Sequence, residues 1–281
     1  MKSQDFELSL DGFKYVYRVY PNTESKLAPI VILGGVFESL DSWEKHANHL
    51  NQFAPVIVAD LPGSGYADAL PADYSFDFCA EALLKLLDTE HIAQANIFSV
   101  SYSTPIVYRF SQLYRERVNR LAIGGSPLEL SLAEVKKIEQ WATFAREKSG
   151  SDLAKHVIPG LICRDPKKHI KRRRLIERAI RSELLKMSAA DLAKYESNLL
   201  RLLAFSRQGL TGTLDIPAVV FTGEYDLVTN SRHCKNIALR FRRGVSVIIK
   251  HADHFFHIEQ FQTTLELIMD FFLGLDLELA A

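Results

Sequence analysis

The sequence predicts an α/β protein whose mostly parallel sheet carries helices on both faces and is interrupted by a long helical insertion. Three observations lead there. Short continuous apolar runs recur at residues 29–33 (PIVIL), 55–59 (PVIVA), 96–100 (NIFSV), 120–123 (RLAI), 217–222 (PAVVFT) and 245–249 (VSVII). Runs of this kind belong to strands buried on both faces, as in a helix-covered parallel sheet. Most are followed by a loop and a segment of helical periodicity, at residues 43–50, 76–87, 105–114, 231–241 and 256–272, and such crossover helices are what parallel neighbours need. Between residue 128 and about residue 210 no strand is legible, and the segment is rich in Lys, Arg, Glu, Leu and Ala.

Ahead of the parallel part, residues 6–10 and 13–20 alternate apolar and polar side chains around Asp11-Gly12, which predicts an antiparallel hairpin. The expected organisation is therefore a core in two parts, residues 1–126 and 212–281, with a helical lid over residues 127–211. That lid would extend from the carboxyl ends of the strands, where open α/β sheets bind their ligands. No internal repeat or low-complexity tract is evident, and residues 273–281, apolar and acidic, are expected to fray at their end.

Composition narrows the function classes. The 281 residues carry 34 basic and 34 acidic side chains, so no net charge favours nucleic acid. With 47% hydrophobic and 24% charged residues, the chain is neither disordered nor a membrane protein, and no apolar run is long enough for a spanning helix. Cys79, Cys163 and Cys234 are odd in number and far apart, which fits neither a disulfide framework nor a zinc ribbon. No secretory signal is read in residues 1–10, and a reducing, cytoplasmic setting is expected.

Five short stretches follow strands and carry polar chemistry. Leu33-Gly34-Gly35-Val36-Phe37 has two glycines that let the backbone turn an N–H into a site, as an oxyanion hole requires, although a simple tight turn reads the same way. Asp60-Leu61-Pro62-Gly63-Ser64-Gly65 is a generic strand-end turn. Ser99-Val100-Ser101-Tyr102-Ser103 lies between an apolar strand and a helix opened by Thr104-Pro105. A nucleophile elbow needs a turn so tight that its flanking residues must be small, which puts Ser101 in the nucleophile's place; the plainer reading is a serine-rich helix cap. Thr222-Gly223-Glu224-Tyr225-Asp226 and His251-Ala252-Asp253-His254-Phe255-Phe256-His257 follow the next two strands.

Taken in this order, the five stretches resemble the α/β-hydrolase fold family over nearly the whole chain. The resemblance implies Ser101 as nucleophile, His254 as base, Asp226 as the acid that orients it, and the backbone N–H groups of Val36 and Tyr102 as the oxyanion hole. It implies no cofactor and no metal. This sequence departs from the family pattern at Gly34, where a histidine is frequent, at Ser99 and Ser103, which replace elbow glycines, and at Asp253, which replaces the glycine before the histidine. A looser similarity, through the insertion and Gly223-Glu224-Tyr225-Asp226-Leu227-Val228-Thr229, links it to bacterial 3-hydroxyacyl-carrier-protein transacylases and hydroxyalkanoyloxyalkanoate synthases.

Other polar residues carry weaker signals. His251, His254 and His257 recur every three residues before Glu259, but that spacing at a loop-to-helix junction need not converge on a metal; His251 and His257 are read as surface or supporting residues. Asp60 is read as holding its loop, and Glu224 as a weak alternative acid. Between residues 161 and 181 stand nine Lys or Arg against Asp165 and Glu177. Most such runs are solvated helix faces, while the sharper reading is a docking patch for an acidic acyl carrier or CoA; no nucleic-acid pattern accompanies it. The sequence thus predicts hydrolysis of a small-molecule ester or acyl thioester. Acyl transfer from a carrier-protein or CoA thioester and a non-catalytic ligand-binding member of the fold are the alternatives.

Overall fold

The computed structural model describes residues 2–25, 27–147, 150–275 and 277; the fraying expected at the end of the 273–281 stretch falls largely outside them. Among these residues eight strands form one sheet: β1 (Gln4–Leu10), β2 (Phe13–Tyr20), β3 (Ile30–Leu33), β4 (Val56–Asp60), β5 (Ala95–Val100), β6 (Val118–Gly124), β7 (Leu214–Gly223) and β8 (Phe241–Ile249). Their spatial order is β1-β2-β4-β3-β5-β6-β7-β8. The expected hairpin is β1–β2, and β2 also runs antiparallel to β4; every other pairing is parallel. This is the α/β-hydrolase fold that the sequence predicts.

Helices α1 (Glu44–Leu50), α2 (Phe76–Thr89) and α3 (Thr104–Leu113) precede the insertion. Among the described residues the insertion holds four helices, α4 (Leu132–Glu147), α5 (Gly150–Leu161), α6 (Arg173–Lys186) and α7 (Ala189–Gln208), and no strand. Helices α8 (Ser231–Ala238), α9 (Phe256–Glu259) and α10 (Phe261–Leu273) complete the chain. The buried side chains divide accordingly. One apolar cluster joins α2, α3 and α8 to one sheet face, a second joins α1 and α10 to the other, and a third lies within the insertion and reaches Phe37 and Phe255. Trp141 of α4 packs against Gly160 of α5, where an added Cβ would meet its ring at 2.5 Å, so this tryptophan binds the insertion to itself.

Two boundaries differ from the periodicity. The helix expected over residues 231–241 stops at Ala238, because Phe241 already pairs with Leu214 and the strand passes close beneath the helix end at Gly244. The helix expected over residues 256–272 is broken at Gln260 (φ −118°, ψ 51°). Glu259, just before the break, turns its carboxylate back to accept the Asp253 N–H at 2.7 Å.

The register decides where polar residues gather. Leu33 lies beside Ser99, Val100 beside Gly124, Gly124 beside Phe221, and Gly223 beside Ile249. Five carboxyl ends therefore stand level, and the loops after them share one edge. Between β3 and β5 the order also switches direction, the place where open α/β sheets leave a crevice.

Candidate active site

Ser101 leaves β5 with φ +53°, a backbone conformation that costs a non-glycine residue about 1–2 kcal/mol and persists only when its surroundings enforce it. The flanking serines do so. Ser99 is fully buried between β3 and β6. Ser103 stands at the N-cap of α3 but its side chain makes no capping bond; its hydroxyl accepts the Val100 N–H at 3.1 Å and lies 2.8 Å from Leu33 O and 3.0 Å from Val100 O. Thr104 Oγ1 donates to Ser101 O at 2.8 Å. The elbow is thus fastened to β3 by a hydroxyl that glycine would lack.

Ser101 Oγ lies 3.1 Å from His254 Nε2, and His254 Nδ1 lies 2.8 Å from Asp226 Oδ2. With Nδ1–H donating to the carboxylate, Nε2 is free to accept the serine hydroxyl proton. Asp226 is further saturated: Oδ2 accepts from the hydroxyls of Thr222 (2.9 Å) and Thr229 (2.8 Å), and Oδ1 from the N–H groups of Val228 (2.7 Å) and Thr229 (2.8 Å). Burial would raise this carboxyl's pKa, yet the His254 charge and these donors hold it well below the usual range. For His254, burial favours the neutral ring, but Asp226 outweighs it and raises the pKa above the ordinary 6.5.

Backbone space lets these loops meet. An added Cβ at Gly223 would stand 2.1 Å from Asp253 O, and one at Gly125 would stand 3.3 Å from the His254 ring. Asp253 bridges to the insertion, accepting the Cys163 N–H at 3.0 Å; the carboxylate at this unusual position therefore ties α5 to the His254 loop. From α7, buried Arg201 donates to Tyr102 Oη (2.6 Å) and to the carbonyls of Leu70, Pro71 and Tyr74 (2.7 Å each), and Lys194 donates to those of Ser64, Gly65 and Ala67. Asp60 holds its loop by accepting the N–H groups of Leu40 and Tyr66, and burial raises its pKa to about 6.

A cavity of about 40 Å³ opens on Ser101 and His254, lined also by Gly35, Val36, Phe37, Val100, Leu161 and Phe255. A larger chamber of about 260 Å³ adjoins it beyond Val36, Phe37 and Glu38, toward Lys186, Lys194 and Tyr195. The five residues singled out in the sequence, Ser101, Asp226, His254, Val36 and Tyr102, converge on this edge, and Tyr102 turns its phenol away toward Arg201 and Asn198.

Of the two readings open for His257, surface or supporting, the second holds: it is buried beside the cavity with Nε2 at 2.7 Å from Glu38 Oε1. Glu224 is not an alternative acid, since its carboxylate accepts the exposed His251 N–H at 3.0 Å. His46, which has no motif, is buried against the carbonyl of His257 at 3.0 Å. Glu38, Arg201 and Gly125 are missed by the sequence reading; only Gly125, in the pair Gly124-Gly125 after a strand, carried a usable signal. Among the described residues, no three His, Cys, Asp or Glu side chains converge as a metal site would require, and no helix is long and apolar enough to cross a membrane.

An elbow serine facing a histidine–carboxylate pair across the carboxyl edge of such a sheet defines an α/β protein of the nucleophile-elbow class. The chain belongs to the alpha/beta hydrolase fold family, whose sequence profile matches residues 28–261. It is 26% identical over 100 residues to a poly(3-hydroxyalkanoate) depolymerase of Ectopseudomonas oleovorans, covering 36% of this chain and 35% of that protein. It is 21% identical over 161 residues to esterase FrsA of Vibrio vulnificus, covering 55% of this chain and 39% of that protein. The match thus spans little more than a third of the length of these curated relatives. Among solved structures, an α/β hydrolase enzyme from a Medee basin deep-sea metagenome library superposes with a TM-score of 0.82 at 19% identity, over 98% of this chain and 100% of the other.

Proposed function

We propose that this protein is a serine hydrolase that cleaves a carboxylic ester or thioester through an acyl-Ser101 intermediate. One observation carries the reading: the hydrogen-bonded line from Ser101 Oγ through His254 to Asp226, with Ser101 held at positive φ. Ser101 Oγ attacks the acyl carbon while His254 Nε2 takes its proton, and Asp226 fixes the ring tautomer and stabilises the imidazolium. The N–H groups of Val36 and Tyr102 receive the negative oxygen, each worth on the order of 10² to 10³ in rate. The imidazolium protonates the departing alkoxide or thiolate. Water, deprotonated by the same nitrogen, then releases the acid and restores Ser101.

The cavity at Ser101 holds about 40 Å³ and adjoins the chamber of about 260 Å³ across Val36, Phe37 and Glu38. A panel of nitrophenyl esters and acyl thioesters of graded chain length tests the reading: turnover is expected and should vanish in Ser101→Ala. Equal turnover by Ser101→Ala, or no turnover of any ester, contradicts the reading and favours a ligand-binding member of the fold.

A second reading, acyl transfer from an anionic carrier or CoA thioester, is favoured by the basic segment that follows Leu161 in the chain. From Leu161, which lines the cavity, the chain passes Cys163, tied to Asp253, into the basic segment. There Arg164 and Arg181 pair with Glu177, Arg173 holds the carbonyls of Cys163 and Asp165, and Lys168 lies over Tyr225. Lys167, Lys171, Arg174 and Arg178 are exposed, with no acidic partner among the described residues. Product analysis with an acyl thioester and a hydroxyacyl acceptor separates transfer from hydrolysis.

A further inference from the structure

A second histidine–carboxylate pair faces the same cavity. Glu38 Oε2 accepts the Gly35 N–H at 2.5 Å, Glu38 N–H donates to Gly35 O at 3.2 Å, and Glu38 Oε1 accepts from His257 Nε2 at 2.7 Å. Behind them the His257 ring stacks on Trp43, with centroids 5.0 Å apart and planes at 19°, and His46 Nε2 donates to His257 O. Trp43 in turn fills the space beside Gly34, where an added Cβ would meet Nε1 at 2.6 Å. At Gly35 a Cβ would stand 3.2 Å from Glu38 Oε2 and 3.5 Å from Ser101 Cβ, so this glycine is the spacer between the carboxylate and the nucleophile.

Two successive glycines are the least constrained backbone a turn can have. An oxyanion donor works only when it is already aimed before the charge develops. We propose that Glu38, oriented by His257, is the positioning residue of the oxyanion turn: its carboxylate holds the Gly35 N–H and its own N–H holds the Gly35 carbonyl, so both peptide planes of Gly35 are pinned, the second of which carries the Val36 N–H. The carboxylate spends its two oxygens on the turn and on His257, and the Trp43–His257 stack blocks the ring from swinging away. Burial alone would neutralise this carboxyl, but His257 and the Gly35 N–H keep it in its charged form. The clamp acts through the backbone and touches no reacting atom.

The inference rests on the acyl-Ser101 reading, and its test separates the two. The parent, Glu38→Ala, Glu38→Gln and His257→Gln are compared for kcat and KM on a short-chain nitrophenyl ester, and for affinity toward a trifluoromethyl ketone, which forms a tetrahedral oxyanion on the serine. A loosened donor predicts a kcat fall of about 10- to 100-fold in Glu38→Ala with KM within twofold, and a parallel loss of ketone affinity. Glu38→Gln keeps an oxygen for Gly35 N–H and should recover most of that loss. His257→Gln, which leaves Glu38 in place, should lower kcat by a smaller factor of about 3 to 10; with Glu38→Gln it decides the matter should Glu38→Ala not fold. An active parent whose variants keep kcat and ketone affinity within twofold overturns the clamp alone, as does a rise in KM with kcat unchanged, or Gln faring no better than Ala. A parent without esterase activity overturns the clamp and the proposed function together.

Discussion

Asp226–His254 and Glu38–His257 are both carboxylate–imidazole pairs at one cavity, the first buried and the second with Glu38 half-buried, yet they are set up for opposite tasks. His254 is anchored through Nδ1, so its Nε2 is presented to Ser101. His257 is anchored through Nε2, and among the described residues its Nδ1 is buried without a hydrogen-bond partner. Asp226 is held by five donors from its own loop, β7 and His254, whereas the contacts of Glu38 are to a glycine turn and the second histidine. The comparison teaches that the residue types do not decide whether such a pair moves protons or fixes backbone. The ring nitrogen left free decides it.

Substitutions break this comparison by unequal amounts. Ser101→Ala should have the largest effect, a loss of at least about 10⁴ in kcat by steady-state assay, with the fold retained, because alanine keeps the Cβ at the same positive φ and removes only the hydroxyl beside His254 Nε2. His254→Ala should be nearly as damaging, while His251→Ala, exposed and bonded only through its backbone, should stay within twofold.

Asp226→Asn should cost on the order of 10³ to 10⁴ and also move the pH profile. Activity needs neutral His254, so in the parent kcat/KM should rise with pH through an inflection above 6.5, since Asp226 raises the histidine pKa. With that carboxylate gone, burial is opposed only by the lesser influence of Asp253 and Glu38, and the inflection should move down. An inflection that moves up, or does not move, would detach Asp226 from His254.

The smallest effect is expected at the basic segment. Replacing Lys171, Arg174 and Arg178 by glutamate should raise KM for a CoA thioester at low ionic strength, leave neutral esters unchanged, and lose its effect in added salt. Arg173 is left intact because its guanidinium supports the Cys163 and Asp165 carbonyls. Equal kinetics on both substrates would make the patch a solvated helix face.

What was legible in the sequence follows from what each signal measures. Strands β3 to β7 announce themselves because a strand buried on both faces must be continuously apolar, the half-buried edge strand β8 shows as the shorter run 245–249, and the loops after β5, β7 and β8 hold Ser101, Asp226 and His254 in chain order. Glu38 and His257 leave no such trace. They lie 219 residues apart, and only the level carboxyl ends of the strands bring their loops together. The break at Gln260 is equally invisible, since helical periodicity continues through it while Glu259 is drawn back to the Asp253 N–H. Arg201 sits in the strand-free segment rich in Lys, Arg, Glu, Leu and Ala, and only the packed structure shows its guanidinium buried among backbone carbonyls.

The central claim is that Ser101 is the group acylated. Incubating the folded protein with a fluorophosphonate and mapping the adduct by peptide mass spectrometry tests it most directly. The account predicts one adduct per chain, on Ser101, absent in Ser101→Ala and strongly slowed in His254→Ala. An adduct on Ser99 or Ser103, or labelling of Ser101→Ala at the parent's rate, would contradict it.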